Sequence, residues 1–192
     1  MFAPQCERTV FHQLSFVAGI AGFEAIAPHL SDKRALQIKW PNDLLINTSK
    51  VGGILVESSK YGGDIVVMIG IGINIAVAPE IEGRAVTRLD QHGLAPGPQQ
   101  LLEGLAGHMA HWLLIWDRGA GFEAIRGAWL ERAHKLGQPL GVNTNDKHIE
   151  GAFQGLAANG ALLLALSSGE TVRIDHGDVS LASQIPVSEK RT

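Results

Sequence analysis

One cysteine, Cys6, stands in 192 residues, so no internal disulfide can form and a reducing compartment is the expectation. Positive charge is also scarce. Sixteen Lys and Arg face nineteen Asp and Glu, a formal charge of −3, and no Lys/Arg run offsets this locally. The electrostatic footprint of a nucleic-acid binder is therefore missing. No uninterrupted apolar stretch reaches the roughly 18 residues needed to span a bilayer. The opening Met-Phe-Ala-Pro-Gln-Cys-Glu-Arg has neither the basic lead nor the apolar core of a signal peptide. These absences lead to the expectation of a cytoplasmic protein with no membrane or nucleic-acid partner. No Gly-x-Ser-x-Gly elbow occurs, and Cys6 sits in a poor context for catalysis. Repeats and low-complexity tracts are absent too.

An apolar fraction of 45% against 18% charged residues describes a chain able to bury a core, and 23 glycines favour turns and close backbone approaches. Helical spacing of Phe16, Ile20, Phe23 and Ile26 predicts a helix over Phe11 to Leu30, ended by Pro28. Alternation in Leu36-Gln-Ile-Lys-Trp predicts a strand that Pro41 stops. Leu44 to Ile46 and Val51 to Glu57 pair across an Asn47-Thr48-Ser49 turn. The β-branched run from Asp64 to Val77 reads as a buried central strand. Residues 83–98 are turn-rich loop, and helices follow over Gln99 to Trp116 and Gly121 to Lys135. Trp112 and Trp116, four apart, form a helix face expected to pack on the sheet. After His134, short apolar runs alternate with turns such as Asn159-Gly160, which suggests a small barrel. The expected boundary lies near Ala133 to Gly137, giving a catalytic-type unit over 1–134, a small β domain over 135–186 and a tail over 187–192.

The chemistry concentrates between Lys39 and Glu57. Two lysines, the Asn42-Asp43 pair and the Gly52-Gly53 step lie around one hairpin, a set suited to an anionic, phosphate-bearing small molecule. Lys50 could supply the cation for charge building on phosphate oxygens, and bare backbone at Gly52-Gly53 would allow close approach. Residue chemistry alone leaves a plainer reading in front: a solvated hairpin lysine and a bulge at Gly52-Gly53. Asp43 could equally cap the turn after Pro41. Trp40 reads as core. Gly70-Ile-Gly-Ile-Asn74 imitates a dinucleotide fingerprint, but Ile75 replaces the third glycine and the run lies within a strand. His108 and His111 stand three apart without a carboxylate at His-Glu-x-x-His spacing, Glu103 and Asp117 being the nearest acids, so no metal site is expected.

Lys39-Trp-Pro-Asn-Asp43 and Lys50-Val-Gly-Gly-Ile-Leu55 together resemble the central motif of biotin–protein ligases. The resemblance runs from about Phe11 to Ala182. It implies an α+β fold, a mixed sheet with flanking helices like the class II synthetase-like ligase core, followed by an SH3-like β-barrel. It further implies that Lys50 contacts the biotin carboxylate and the adenylate phosphate, that Gly53 makes a backbone contact, and that Asp43 takes part in catalysis, orienting the acceptor lysine or a magnesium ion. Gly52, Asn42 and Lys39 line the ligand site, and Asn74 helps hold the nucleotide. Biotin and ATP are the implied substrates, with Mg2+, and a biotin carboxyl carrier protein, an acetyl-CoA carboxylase subunit or similar, is the implied partner. A homodimer is compatible with this reading.

One departure stands beside the match. The family carries a Gly-Arg-Gly-Arg-type loop and a strand upstream of the first helix, and this sequence contains no such loop. The expectation is an N-terminally truncated ligase with an exposed sheet edge and apolar face. An inactive or ligand-binding remnant, or a lipoate or octanoyl ligase on the same scaffold, remain as alternatives. The Trp-Pro-Asn-Asp string argues against the last.

Overall fold

The computed structural model describes residues 1–93, 95–144 and 147–181, so the expected end of the β domain at 186 and the 187–192 tail lie outside the described residues. The chain divides into two units, Met1–Ala133 and His134–Thr192. The first holds helices α1 (Gln13–Ile26), α2 (Pro98–Trp116) and α3 (Phe122–Arg132) and strands β1 (Leu36–Lys39), β2 (Asp43–Ile46), β3 (Ser49–Tyr61) and β4 (Asp64–Ile73). The second holds β5 (Pro139–Asn143), β6 (His148–Leu156), β7 (Leu162–Ala165), β8 (Thr171–Ile174) and β9 (Asp178–Leu181). The α+β class expected from the sequence is what is found.

Sheet one is an antiparallel meander in the order β1-β2-β3-β4, with parallel contacts confined to isolated bridges at Ile38–Ala133 and Lys50–Val86. β2 is buried throughout, because it is flanked by strands on both sides and covered by α1. The two-residue Asn47-Thr48 link closes the β2–β3 hairpin with Asn47 at φ +57°, a conformation its short polar side chain tolerates. Ser49, expected in the turn, instead begins β3 opposite Ile46.

Helix α1 is the hub of this unit. Leu14, Val17, Ala18, Ile20, Ala21 and Ile26 are almost wholly buried, so apolar residues face every direction and the helix lies between sheet and helices. Gly22 permits the close approach: a Cβ there would stand 2.8 Å from the Leu44 Cδ1 methyl on β2. By length and composition, residues 8–29 would also suit a membrane span, although polar residues such as Gln13 and Glu24 interrupt the apolar run. In this structure 67% of that window is buried within the protein, the pattern of a core helix.

The apolar run after Asp64 is an edge strand, not a central one, and it ends at Ile73 instead of Val77. Only Val67 is fully buried on it, and Phe2 pairs with that residue through reciprocal backbone hydrogen bonds of 3.0 and 2.8 Å. A β-branched run reports extended backbone; it does not report what covers the strand. Trp112 and Trp116 pack on α1, not on the sheet. The Trp116 indole donates to the buried Gln13 amide oxygen at 2.8 Å, and Trp112 donates to Glu24 at 2.8 Å. The reason is that α1 already occupies the sheet face, leaving α2 to cover α1. Glu24 also accepts from Arg132 of α3 at 2.8 Å and meets His108 Nδ1 at 3.1 Å, so one carboxylate ties three helices together. Below this tie Phe16 meets Phe122 and Trp129 edge-on, each at 5.5 Å.

The second unit is a five-stranded antiparallel sheet in the order β8-β7-β6-β5-β9. Leu140, Val142, Phe153, Leu156, Leu162, Leu164 and Ile174 form its core. The expected barrel is not closed among the described residues: β8 and β9 are opposite edges of the sheet, and no ladder joins them. The extra residue at Gln154 breaks the β6–β7 register between Phe153 and Gly155, and such a bulge bends a strand.

Gln13→Leu tests the α1–α2 contact, because it keeps the side-chain volume but strands the buried Trp116 N–H. The expected loss is about 2 kcal/mol, equivalent to a melting midpoint lower by roughly 4–8 °C. All four tryptophans (Trp40, Trp112, Trp116 and Trp129) belong to the first unit, so their fluorescence follows its unfolding. An unchanged or raised midpoint would count against this contact.

Candidate active site

The site is assembled by a strand irregularity. Lys50 and Gly53 are three residues apart, an odd step that in a regular strand points them to opposite faces. The register pairs Asp43 with Gly53, Leu44 with Gly52 and Leu45 with Lys50, leaving Val51 without an opposite number. This bulge reverses the side-chain phase, so Lys50 returns to the face that carries Asp43. The sequence placed a bulge at Gly52-Gly53; it falls one residue earlier, at Val51, whose side chain is fully buried.

Three charged groups converge as a result. The Lys39 ammonium lies 3.0 Å from Asp43 Oδ2, and the Lys50 ammonium bonds to Asp43 Oδ1. The Lys39 and Asp43 side chains are 10% and 7% exposed, while Lys50 is 32% exposed. Two ammonium groups share one carboxylate, so these three groups sum to a formal charge of +1, with the accessible end at Lys50. That surplus, with the three donors of each ammonium, suits an anion. Gly53 leaves room for the ammonium above it. A Cβ there would stand 3.0 Å from both Cε and Nζ of Lys50 and 3.5 Å from Asp43 Oδ1. Gly52 answers a different need, since a Cβ there would come within 2.6 Å of the Gly72 carbonyl on β4.

The remaining expected residues brace this arrangement. Asn42 donates its side-chain amide to the Ile54 carbonyl at 2.7 Å, and its own carbonyl receives the Ile54 N–H at 2.8 Å. Asp43 is thus an ion-paired strand residue and not an Asx cap. Asn74, just past β4, donates its side chain to the Thr87 carbonyl at 3.0 Å. Its backbone N–H bonds to the carbonyl of the bulged Val51 at 2.8 Å. Trp40 is buried beside Lys39, as expected for core. His108 belongs to the Glu24 tie and His111 stacks edge-on against Trp112, 5.3 Å between centroids, both remote from the Lys50 cluster in the chain's topology.

Sequence reasoning missed the segment after Arg84. β4 ends opposite Gly52, so nothing from β4 pairs with Lys50. The segment Ala85–Thr87 takes that place: Lys50 N–H donates to the Ala85 carbonyl at 2.8 Å, and Thr87 N–H to the Lys50 carbonyl at 2.9 Å. Three short residues in a turn-rich stretch carry no periodic signal, so only the Ala-Val-Thr run between two arginines hinted at extended backbone.

Asp43→Ala removes the carboxylate that the Lys39 and Lys50 ammonium groups share, one of them nearly buried. The expected destabilisation is about 3 kcal/mol, read as a lower denaturant midpoint by tryptophan fluorescence. A midpoint equal to that of the unmodified chain would show that solvent or other groups already compensate the lysines.

Comparison with known proteins gives this geometry a family. A model described as the biotin/lipoate A/B protein ligase family matches residues 1–131, and one described as the biotin protein ligase C terminal domain matches residues 135–182. The chain is 40% identical over 176 residues to a biotin–[acetyl-CoA-carboxylase] ligase of Paracoccus denitrificans, covering 88% of this chain and 73% of the relative. It is 30% identical over 155 residues to the bifunctional ligase/repressor BirA of Escherichia coli, covering 79% of this chain but only 47% of that protein. Among solved structures, a biotin protein ligase from Aquifex aeolicus in complex with biotin and ATP superposes with a TM-score of 0.73 at 26% identity, covering 88% of this chain and 71% of the other. With one family model spanning most of the first unit and another most of the second, the chain belongs to the biotin/lipoate A/B protein ligase family, among the biotin–protein ligases.

Proposed function

We propose that this chain performs the ligase reaction in two steps, with ATP-dependent formation of biotinyl-adenylate followed by transfer to a lysine of a biotin carboxyl carrier protein. In the first step a biotin carboxylate oxygen attacks the α-phosphorus and pyrophosphate leaves. In the second the carrier amine attacks the acyl carbonyl and AMP leaves. Both steps build negative charge on oxygens that a fixed cation stabilises. The observation that carries this reading is the Lys50 ammonium, held over Gly53 by Asp43 at the accessible end of a cluster with surplus positive charge.

Each residue then has a definite task. Lys50 faces the biotin carboxylate and the α-phosphate, and Gly53 leaves room for the ligand and the ammonium together. Asp43 keeps Lys50 in place, its two oxygens engaged by Lys50 and Lys39. Lys39 supplies the second charge, Gly52 and Asn42 set the hairpin, and Asn74 ties the end of β4 to the segment beside Lys50. No group of three or more His, Cys, Asp or Glu occurs among the described residues. Mg2+ would arrive with the triphosphate, a mode that needs only one or two carboxylates beside the phosphate oxygens. A single cysteine agrees with action in a reducing cytoplasm.

The family description also covers lipoate ligases, which makes a lipoate or octanoyl substrate the second reading. The C-terminal domain match and the 40% relative favour biotin. Incubation with biotin, ATP, Mg2+ and a carrier domain, followed by mass spectrometry of the carrier, tests both. Biotinylation is expected, unreduced by excess lipoate, and Lys50→Ala is expected to slow adenylate formation by roughly a hundredfold. Absence of adenylate and of labelled carrier, or a Lys50→Ala variant as fast as the unmodified chain, would contradict the proposal.

A further inference from the structure

Thr87 is 7% exposed, and each of its polar groups has a partner. Its N–H donates to the Lys50 carbonyl at 2.9 Å, and its carbonyl accepts from the Asn74 side chain at 3.0 Å. Its hydroxyl donates to Gln91 Oε1 at 3.0 Å and lies 2.7 Å from His92 Nε2. A hydroxyl has one hydrogen, so with Gln91 taking it, His92 must present Nε2–H to the oxygen. Gln91 closes the short helical turn Leu89–Gln91 and His92 follows it, and Leu89 N–H returns to the Asn74 carbonyl at 2.9 Å. The hydroxyl thereby fixes the segment that replaces β4 along Lys50.

This matters because β4 stops at Ile73, opposite Gly52, and offers no ladder bonds to Lys50, the residue that most needs a fixed position. Lys50 receives them from Ala85 and Thr87 instead, and of these Thr87 is the one anchored further, to Asn74, Gln91 and His92. We propose that Thr87 is a positioning residue for Lys50, acting through its hydroxyl lock on Gln91 and His92 and its backbone bonds to Lys50 and Asn74. The proposal rests on the reading of Lys50 as the cation of the adenylation step. Thr87 itself touches neither reacting atom.

Single-turnover adenylate formation from biotin and ATP tests it with four proteins: Thr87→Val, Thr87→Ser, Lys50→Ala and the Lys50→Ala/Thr87→Val pair. Thr87→Val keeps the shape and removes the hydroxyl, so its rate should fall roughly tenfold or more, as small misplacements of a catalytic group do, with circular dichroism unchanged. Thr87→Ser should recover most of the rate. The double variant should be no slower than Lys50→Ala alone, because a residue acting through Lys50 has nothing left to act on. Unreduced Thr87→Val activity, multiplicative losses in the pair, or a serine variant as poor as valine would overturn the proposal. A Lys50→Ala protein of full activity would instead sink the underlying reading of Lys50. Should Thr87→Val not fold, amide exchange in the unmodified protein decides: the Lys50 and Thr87 N–H groups should be protected together, and free exchange at either would overturn the lock.

Discussion

One extra residue in a strand sets the geometry of the proposed site. Val51 has no partner on β2, and that single irregularity turns Lys50 onto the face of Asp43 and Gly53. Everything else at the site answers to it. Gly53 lets the lysine fold over it, since a Cβ there would push the ammonium aside, and Lys39 balances Asp43 from the neighbouring strand. Asn74 and the Ala85–Thr87 segment supply the backbone partners that the bulge and the end of β4 withhold. A regular hairpin with the same residues would separate Lys50 from the carboxylate that positions it.

The three-charge cluster illustrates why a nearly buried ion pair needs an excess of one sign to serve a ligand. A lone Lys50–Asp43 pair would be neutral and self-satisfied. Adding Lys39, itself almost covered, leaves Asp43 shared and the outer ammonium with donors to spare. Burial of Asp43 keeps this field focused, since low-dielectric surroundings strengthen the attraction that holds both lysines. The site is therefore preorganised by groups that a substrate would not have to move, the condition under which electrostatic stabilisation is most effective.

Much of this was legible in the sequence, and for definite reasons. Periodicity located α1, α2 and α3, and the two motifs around Lys39 and Lys50 singled out the hairpin that carries the cluster. What was not legible followed from tertiary context. The run after Asp64 reads as buried because it is β-branched, yet β4 lies at the sheet edge with Met68 exposed, and Leu55 beside it on β3 is 58% exposed. Trp112 and Trp116 announce an apolar helix face, but only the placement of α1 decides that they meet Gln13 and Glu24 instead of the sheet. The bulge at Val51 is invisible to composition, since valine is an ordinary strand residue. Thr87 lies in a stretch whose glycines and prolines spell loop, and its role comes from bonds to residues far away in sequence.

The central claim is that the bulge presents the Lys50 ammonium to the ligand's carboxyl–phosphate junction. Side-chain NMR of 15N-lysine-labelled protein tests this most directly, during titration with a non-hydrolysable biotinyl-adenylate analogue. The account predicts that the Lys50 ammonium signal, assigned by its loss in Lys50→Arg, shifts and becomes protected from exchange as the ligand saturates, while exposed Lys33 and Lys60 do not respond. Tight binding of the analogue with the Lys50 signal unchanged would contradict it.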